Sequence, residues 1–165
     1  MTAADPAYLT RFASPIGRIE ITSDGESITS LAIERDGVLP NDPTVENDVP
    51  VLELARIQVG EYLSGERIKF DLPLHLGGTT FQKAVWTELA RVPFGETTSY
   101  GALGRATGRA TAGRAVGGAI GANPIPLIIA CHRVLASDQK ITGYSAGNGV
   151  PTKIWLLDHE GIAHK

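Results

Sequence analysis

The two halves of this chain carry opposite net charge. Residues 1–76 contain 6 Lys and Arg against 13 Asp and Glu, a net charge of −7, whereas residues 77–165 contain 9 against 5, a net charge of +4. A chain of 165 residues is long enough for one compact domain or two small lobes. The charge division favours two, so we expect an N-terminal lobe over residues 1–76 and a second domain over residues 77–165.

Basic side chains concentrate between residues 97 and 140, where Asp138 is the one acid. The basic set comprises Arg105, Arg109, Arg114, Arg133 and Lys140. A polyanion such as a nucleic acid would dock on this half and avoid the acidic one. A basic face that contacts only solvent explains the same charges equally well, so charge alone leaves both interpretations open.

Cysteine usage and hydropathy narrow the class of protein further. The chain has one cysteine, Cys131, so no intramolecular disulfide forms, and zinc sites built from several thiolates are excluded. The longest apolar stretch, which starts at Ile125, is far shorter than the roughly 20 residues that a membrane span requires. The first residues lack the basic and apolar segments of an export signal. We therefore expect a cytoplasmic protein without membrane association.

The acidic half predicts a small antiparallel sheet followed by a helix. Apolar residues in strand-like patterns predict strands over residues 8–13, 17–22 and 28–34, separated by Ser-Pro and Asp-Gly turns. After a polar connector, Asp48 is expected to cap a helix that has Pro50 in its first turn. The acidic residues of this half are scattered, which indicates solvated surface rather than a catalytic group.

The basic half is predicted to be mostly helical. Thr80 is expected to cap a first helix. Ser99 is expected to cap a short second helix through Ala106, and Thr111 begins a third that runs to about Ala122. Two short helices across a tight glycine-containing turn suggest a helix-turn-helix. The predicted fold class is therefore α+β, with a small antiparallel-sheet lobe followed by a helical domain.

The third of these helices contains four glycines and one long cation. Each glycine costs about 1 kcal/mol relative to alanine in a helix interior, so something other than helix propensity accounts for them. Small residues allow a helix to approach a neighbouring surface closely, and that surface is either another helix or the wall of a DNA minor groove. Arg114 is badly suited to a packed core and favours the groove.

The lone cysteine follows an apolar stretch, residues 125–129, that is expected to form a buried strand. A cysteine beneath such a strand is usually an inert core residue. His132 and Arg133 change that interpretation, because a nearby base or cation raises the thiolate fraction on which cysteine reactivity depends. Adjacent residues of a strand point to opposite sides, so we expect His132 to act on Cys131 through a water molecule.

An imidazole that acts as a base also needs an acid to fix its tautomer and stabilise its cation. No acid lies beside His132 in the sequence. Glu160 is a distant candidate, and the residues alone do not favour it over Asp138 or Asp158.

Five segments of the second half together resemble a known family. They are Arg114-Ala-Val-Gly-Gly-Ala, Asn123-Pro, Ile128-Ile-Ala-Cys131-His-Arg-Val134, Thr142-Gly-Tyr144 and Trp155-Leu-Leu-Asp-His-Glu160-Gly. Their spacing over about residues 79–161 is similar to that of the O6-alkylguanine-DNA alkyltransferases, the methylated-DNA-protein-cysteine methyltransferases. The resemblance implies a ribonuclease-H-like fold for the N-terminal lobe and a helix-turn-helix in the second domain.

The resemblance also implies a DNA repair activity. Such a protein moves the alkyl group of O6-alkylguanine, and of O4-alkylthymine, from duplex DNA to its own cysteine after the target nucleotide is flipped out. The product thioether has no labile bond, so each molecule is expected to react once. The implied partner is double-stranded DNA carrying alkylated guanine, bound by a monomer through the minor groove. No cofactor and no metal is implied.

Four residues are assigned to the chemistry by this resemblance. Cys131 is the acceptor thiol, and His132 is the base that acts on it through a water. Glu160 orients the imidazole, and Asn123 braces the active-site turn.

Five further residues are assigned to the nucleotide. Tyr100 helps to rotate the nucleotide out of the duplex, and Arg114 fills the space that it leaves. Tyr144 donates a proton to the leaving guanine, and Ser145 belongs to the loop that lines the pocket. The backbone of Val134 binds the exocyclic amine of the base.

The chain departs from the family pattern at two positions that matter here. Ala130 stands where the family has proline before the cysteine, which frees φ and is expected to loosen the presentation of the thiol. Gly121 stands where many members have a basic residue. DNA affinity is therefore expected to depend on Arg109, Arg114 and Arg133.

Two other functions stay open. A non-catalytic relative would bind alkylguanine without removing the alkyl group, but members of that kind lack the acceptor cysteine, so Cys131 argues against it. A conventional cysteine hydrolase would use Cys131 and His132 and turn over repeatedly.

Overall fold

The structure, a computed structural model, describes residues 6–109 and 113–165. The chain divides into two compact units, the first ending at His75 and the second beginning at Leu76. Strands dominate the first unit and helices the second, so the predicted α+β fold class is confirmed. Thr111, the expected start of a helix, lies outside the described residues. In the described part of the chain, every helix is too short or too polar to cross a membrane.

The first unit is built on a three-stranded antiparallel sheet in the order β1-β2-β3. The strands are Tyr8–Phe12, Ile19–Ser23 and Ile28–Ile33. All five residues of the central strand are buried, although alternation alone predicts only one buried face. On the polar face, the buried carboxylate of Glu20 is satisfied by hydrogen bonds that it accepts from Arg11 and Asn41.

The helix of the first unit, α1, spans Pro50–Leu63. Asp48 was expected to cap it, and this expectation is wrong: Val49 is the N-cap residue and no side chain caps the helix. The Asp48 carboxylate instead accepts from the adjacent Val49 amide at 3.0 Å. Pro50 occupies the first turn as predicted, where its missing N–H costs nothing.

The second unit begins with α2, Thr80–Leu89. Its cap is Thr79 rather than Thr80, one residue earlier than predicted. The Gln82 amide donates to Thr79 Oγ1 at 3.1 Å, and the Thr79 amide donates to Gln82 Oε1 at 3.0 Å. This capping box requires Gln82 at the third helical position, and only Thr79 provides that spacing.

Two short helices follow, α3 at Tyr100–Ala106 and α4 at Gly113–Gly121. The Ala102 amide donates to Ser99 Oγ at 3.1 Å, which confirms Ser99 as the cap of α3. Gly108, with φ of +77°, turns the chain after α3 in the left-handed conformation that glycine tolerates. Trp86 of α2 donates its indole N–H to Ala119 O of α4 at 2.7 Å.

The apolar stretch before the cysteine is not a strand, which corrects the prediction for residues 125–129. The Ile129 amide donates to Ile125 O at 2.9 Å, and Leu127 has a φ of 72°, so this stretch is a compact turn. The reason lies in Pro124 and Pro126, which cannot donate to a strand ladder. Four of the five residues are buried as expected and Ile128 is half-buried, but none of them pairs with a strand in the described part of the chain.

A short parallel strand pair brings the functional segments together. β4 is Thr98–Ser99 and β5 is Val134–Leu135, with Thr98 opposite Val134. The residue after β4 is Tyr100, at the start of α3, and the residues before β5 form the single 3-10 turn Cys131–Arg133. The last helix, α5, spans Val150–His159.

Candidate active site

A pocket of about 230 Å³ lies in the second unit, with Cys131 in its wall. The other lining residues come from α3, α4, α5 and the loop before α5, and they are Tyr100, Gly117, Ile120, Gly121, Gly143, Tyr144, Ser145 and Lys153. Cys131 is only 3% exposed, so a substrate reaches its sulfur through this pocket. The volume is sufficient for one nucleobase.

The turn that leads to the cysteine is braced by Asn123. Its Nδ2 donates to Ile129 O at 2.7 Å, and its Oδ1 accepts from the Ile125 amide at 3.0 Å. Ala130 has a φ of −78°, a value that proline also adopts. The backbone path to Cys131 is therefore one that a proline at position 130 would also allow.

The thiol of Cys131 is protonated in this environment. Burial raises its pKa, and hydrogen bonds from Asn123 and Tyr144 and the positive charge of Lys153 offset that effect only in part. Since the thiolate is the nucleophilic form, a base must remove the proton before the sulfur can react.

His132 is held by Glu160. Its Nε2 lies 2.6 Å from Oε2 of the carboxylate, and both side chains have zero exposure. Burial lowers the pKa of His132 more than the neighbouring carboxylate raises it, so the imidazole is neutral at pH 7. The ionised Glu160 accepts the proton on Nε2, which leaves Nδ1 as the basic nitrogen. Among the three acids that the residues left open, the geometry selects Glu160.

Glu160 stays ionised although it is buried. Burial by itself raises its pKa, but hydrogen bonds from His132, Arg133 and the Gly95 amide outweigh that effect and hold the pKa far below the usual range. Its Oε1 accepts from Arg133 Nε at 2.8 Å and from the Gly95 amide at 3.0 Å, and its Oε2 accepts from Arg133 Nη2 at 3.0 Å. The bidentate arginine neutralises the carboxylate within the protein.

Arg133 is therefore not a surface cation, which corrects the expectation that it contacts DNA. Its side chain is only 9% exposed, and its Nη1 donates to Val92 O at 2.6 Å. The charge count could not reveal this, because the acid that pairs with Arg133 lies 27 residues away in the sequence. The residue supports Glu160 instead.

Lys153 is a residue of the site that the sequence reasoning missed. It is 1% exposed and lines the pocket, and its ammonium donates to Val134 O at 2.7 Å and to Gly143 O at 3.1 Å. Burial lowers its pKa. Its helical position carried a signal, because Lys153 lies three and four residues before Leu156 and Leu157, the buried apolar face of α5.

The residues assigned to the base are only partly brought together. Tyr100, Tyr144 and Ser145 line the pocket, whereas Val134 is not among the described residues that do. The Val134 carbonyl accepts from Lys153, so one of its two acceptor sites is already in use.

No three His, Cys, Asp or Glu side chains within residues 6–109 and 113–165 lie close enough together to hold a metal ion.

The sequence matches two family profiles: the 6-O-methylguanine DNA methyltransferase DNA binding domain over residues 80–162, and the ribonuclease-like domain of the same family over residues 7–76. The chain belongs to the 6-O-methylguanine DNA methyltransferase family.

Other proteins of this methyltransferase family are similar to this chain over nearly its whole length. The methylated-DNA–protein-cysteine methyltransferase of Haemophilus influenzae is 42% identical over 95% of this chain and 88% of its own length. The constitutive methylated-DNA–protein-cysteine methyltransferase of Bacillus subtilis is 38% identical over 96% of this chain and 98% of its own length. The crystal structure of Mycobacterium tuberculosis OGT in complex with DNA has a TM-score of 0.84 at 37% identity and covers 94% of this chain and 93% of that one.

In this member of the methyltransferase family, α4 has two different faces. Val116, Ala119 and Ile120 are buried, while Arg114 and three of the glycines are exposed. A Cβ added at Gly113, Gly118 or Gly121 would meet no described atom within 4 Å. Packing within the protein therefore does not require glycine at these positions, and the bare face is open to an outside surface.

Two further cations lie near α4 in this methyltransferase family member. Arg105 and Arg109 are both exposed. The guanidinium of Arg109 lies 4.7 Å from the ring centre of Phe81, a cation–π contact that orients the side chain while leaving its charge in solvent.

Proposed function

We propose that this protein transfers the alkyl group of an O6-alkylguanine in DNA to the sulfur of Cys131. One observation carries the proposal: a buried cysteine forms the wall of a base-sized pocket, directly beside a neutral histidine that is held by a buried carboxylate. The family membership, the names of the curated relatives and the DNA complex of the Mycobacterium tuberculosis protein support the same reaction.

The DNA lies against the open face of α4 in this proposal. Gly113, Gly118 and Gly121 allow the helix backbone to approach a groove wall, and Arg114 reaches from the same helix into the duplex. A base inside a duplex shields its O6 atom, so the nucleotide must be extruded before the pocket can receive it. Tyr100, at the start of α3, assists the rotation, and Arg114 occupies the vacated space.

The chemistry begins with the proton of Cys131. His132 accepts it on Nδ1, because Nε2 is engaged by Glu160. The two residues lie in one 3-10 turn rather than in the expected strand, but consecutive side chains of such a turn still point about 120° apart, so the proton passes through a water. The resulting thiolate attacks the alkyl carbon, so that a C–S bond forms as the bond between carbon and O6 breaks. Tyr144 donates a proton to the leaving guanine, and solvent returns that proton from the imidazolium to the phenolate.

The reaction ends with a thioether that neither His132 nor water can cleave at neutral pH. Each protein molecule therefore accepts one alkyl group and is consumed. The acceptance of O4-alkylthymine, binding through the minor groove, action as a monomer and a cytoplasmic location belong to the same proposal.

The deciding experiment is the intact mass of the protein after incubation with duplex DNA carrying O6-methylguanine. We expect a gain of one methyl group, about 14 Da, located on Cys131 and absent in Cys131→Ser. An unmodified protein that still binds the lesion would identify a lesion-binding protein instead. Release of many products from one protein molecule would identify a hydrolase.

A further inference from the structure

The loop that lines one side of the pocket is tied to three helices. We call residues 142–145 the pocket loop. Thr142 Oγ1 lies 2.6 Å from the hydroxyl of Tyr100 at the start of α3, and Ser145 Oγ donates to Gly121 O of α4 at 3.1 Å. Lys153 of α5 donates to Gly143 O at 3.1 Å. The loop is thus held from α3, α4 and α5 by side-chain hydrogen bonds.

The bond between Tyr100 and Thr142 differs from the other two in what it holds. The bond of Ser145 joins the loop to a backbone carbonyl of α4, so it positions only the loop, and the bond of Lys153 ends on the backbone carbonyl of Gly143 rather than on a side chain. The bond of Thr142 instead joins the loop to the far end of another side chain, the Tyr100 phenol, which itself lines the pocket. Thr142 therefore positions a group that faces the substrate.

This bond is also easy to exchange. Thr142 is exposed and Tyr100 is half-buried, so water or a substrate atom can compete for either hydroxyl. A neutral hydrogen bond in such a place contributes little net free energy. The phenol can accordingly leave Thr142 when a nucleotide arrives, without a large barrier from the contact itself.

We infer that Thr142 is a positioning residue that holds the Tyr100 ring ready for extrusion of the target nucleotide. The inference rests on the proposed function, since it assigns Thr142 a part in that reaction. In the unloaded protein the Thr142 hydroxyl fixes the phenol at the pocket. During extrusion the phenol exchanges Thr142 for the incoming nucleotide, and Thr142 recaptures it afterwards.

A merely structural role for Thr142 predicts something different. If the hydroxyl only shapes the pocket loop, its loss affects every substrate that enters the pocket. If it acts through Tyr100, its loss affects duplex DNA far more than the free base, which needs the pocket but no extrusion.

The test compares methyl transfer from O6-methylguanine in duplex DNA with transfer from the free base O6-methylguanine, using the full chain. Thr142→Val keeps the shape and removes the hydroxyl. The Tyr100 phenol should then occupy its productive orientation for a smaller fraction of the time, by the factor that one net hydrogen bond contributes, so we expect the duplex reaction to slow about three- to tenfold. The free-base reaction should change by less than about twofold. Thr142→Ser should restore the duplex rate, because it returns the hydroxyl.

Two further variants separate the routes. In Tyr100→Phe, the added Thr142→Val substitution should slow the duplex reaction no further, because the partner hydroxyl is already gone. Ser145→Ala removes a loop bond that does not involve Tyr100, so it should slow both substrates alike.

The role of Thr142 alone would be overturned if the wild-type protein reacts but Thr142→Val slows transfer from both substrates equally. It would also be overturned if adding Thr142→Val to Tyr100→Phe slows the duplex reaction further. A wild-type protein that gains no methyl group from duplex DNA would overturn the proposed function and this inference with it.

Discussion

Nε2 of His132 lies 2.6 Å from Oε2 of Glu160, and Arg133 binds both oxygens of that same carboxylate. Burial lowers the pKa of His132 below its ordinary value of 6.5, although the carboxylate on its own would raise it. The positive charge of Arg133 adds to the lowering. The carboxylate orients the ring and fixes the proton on Nε2, while the imidazole remains a neutral base.

The pH dependence of methyl transfer follows from this arrangement. Because the pKa of His132 lies below 6.5, the base stays neutral as pH falls through 6.5, and we expect the rate at saturating DNA to fall only at lower pH. His132→Gln should be slow at neutral pH and accelerate toward high pH, since the raised pKa of Cys131 then governs thiolate formation. Single-turnover rates across pH measure both profiles. A wild-type rate that already declines above pH 6.5 would contradict the assignment.

Arg133 gives a second prediction, on stability rather than on DNA contact. Arg133→Met leaves the fully buried carboxylate of Glu160 without its bidentate partner, which costs about 3–5 kcal/mol for a buried pair. Arg105→Met is the matched control, because Arg105 is exposed and its loss should change stability by less than about 0.5 kcal/mol. Urea unfolding measures both. If the two variants are equally stable and Arg133→Met binds DNA more weakly, Arg133 contacts DNA and does not support Glu160.

The sequence predicted the site unevenly, and the reasons differ from residue to residue. The residues alone placed a base beside Cys131 but could not choose Glu160 over Asp138 and Asp158, because that contact joins positions 28 apart. The family motifs selected it. The charge count placed Arg133 at the surface, since a count of charges does not reveal which charges find a buried partner.

The fold was also predicted only in part. Turn residues and alternation gave the strands of the sheet to within a residue or two at each end. The stretch over residues 125–129 was apolar enough for a strand, but burial does not specify hydrogen bonding, and two prolines removed the donors that a ladder needs. The parallel pairing of Thr98 with Val134, which brings Tyr100 to the cysteine, joins segments too short to leave a periodic signal.

Lys153 gives a third prediction, on the reactivity of the thiol. Its positive charge lowers the pKa of Cys131, so Lys153→Met should raise that pKa further and slow alkylation of the thiol by iodoacetamide near pH 8. The carbonyls of Val134 and Gly143 also lose a donor, which costs about 1–3 kcal/mol for each if it stays unsatisfied. Lys140→Met is the control, because Lys140 is 67% exposed on its side chain and should affect neither property. Unchanged thiol reactivity in a folded Lys153→Met protein would show that its charge does not reach the sulfur.

Arg114 gives a fourth prediction, on extrusion. Arg114→Ala should slow methyl transfer from duplex DNA at least about tenfold more than transfer from the free base, because filling the vacated stack offsets an unstacking cost of a few kcal/mol. Arg105→Ala, which removes an exposed charge from α3, should weaken DNA binding without that difference at saturating DNA. The measurement is the rate of methyl transfer from duplex DNA and from the free base for each variant. Equal losses on both substrates for Arg114→Ala would remove its assigned role in extrusion.

The open face of α4 gives the last prediction, in which stability and DNA affinity change in opposite directions. A side chain at Gly118 would meet no described atom within 4 Å, so Gly118→Leu should fold and gain up to about 1 kcal/mol of stability from helix propensity. The same side chain would keep a groove wall away from the helix backbone. Affinity for duplex DNA should therefore fall at least about tenfold, which corresponds to a loss of about 1.4 kcal/mol of binding free energy.

Gly60 of α1 is the matched control for this substitution. It is also an exposed helical glycine whose added Cβ would meet no described atom within 4 Å. Gly60→Leu should therefore give the same gain in unfolding free energy as Gly118→Leu and leave DNA affinity unchanged, as measured by urea unfolding and by fluorescence anisotropy with a labelled duplex. If Gly118→Leu bound DNA as tightly as Gly60→Leu, the duplex would have to lie elsewhere, because no helix with leucine at that position could keep the same close approach to a groove wall.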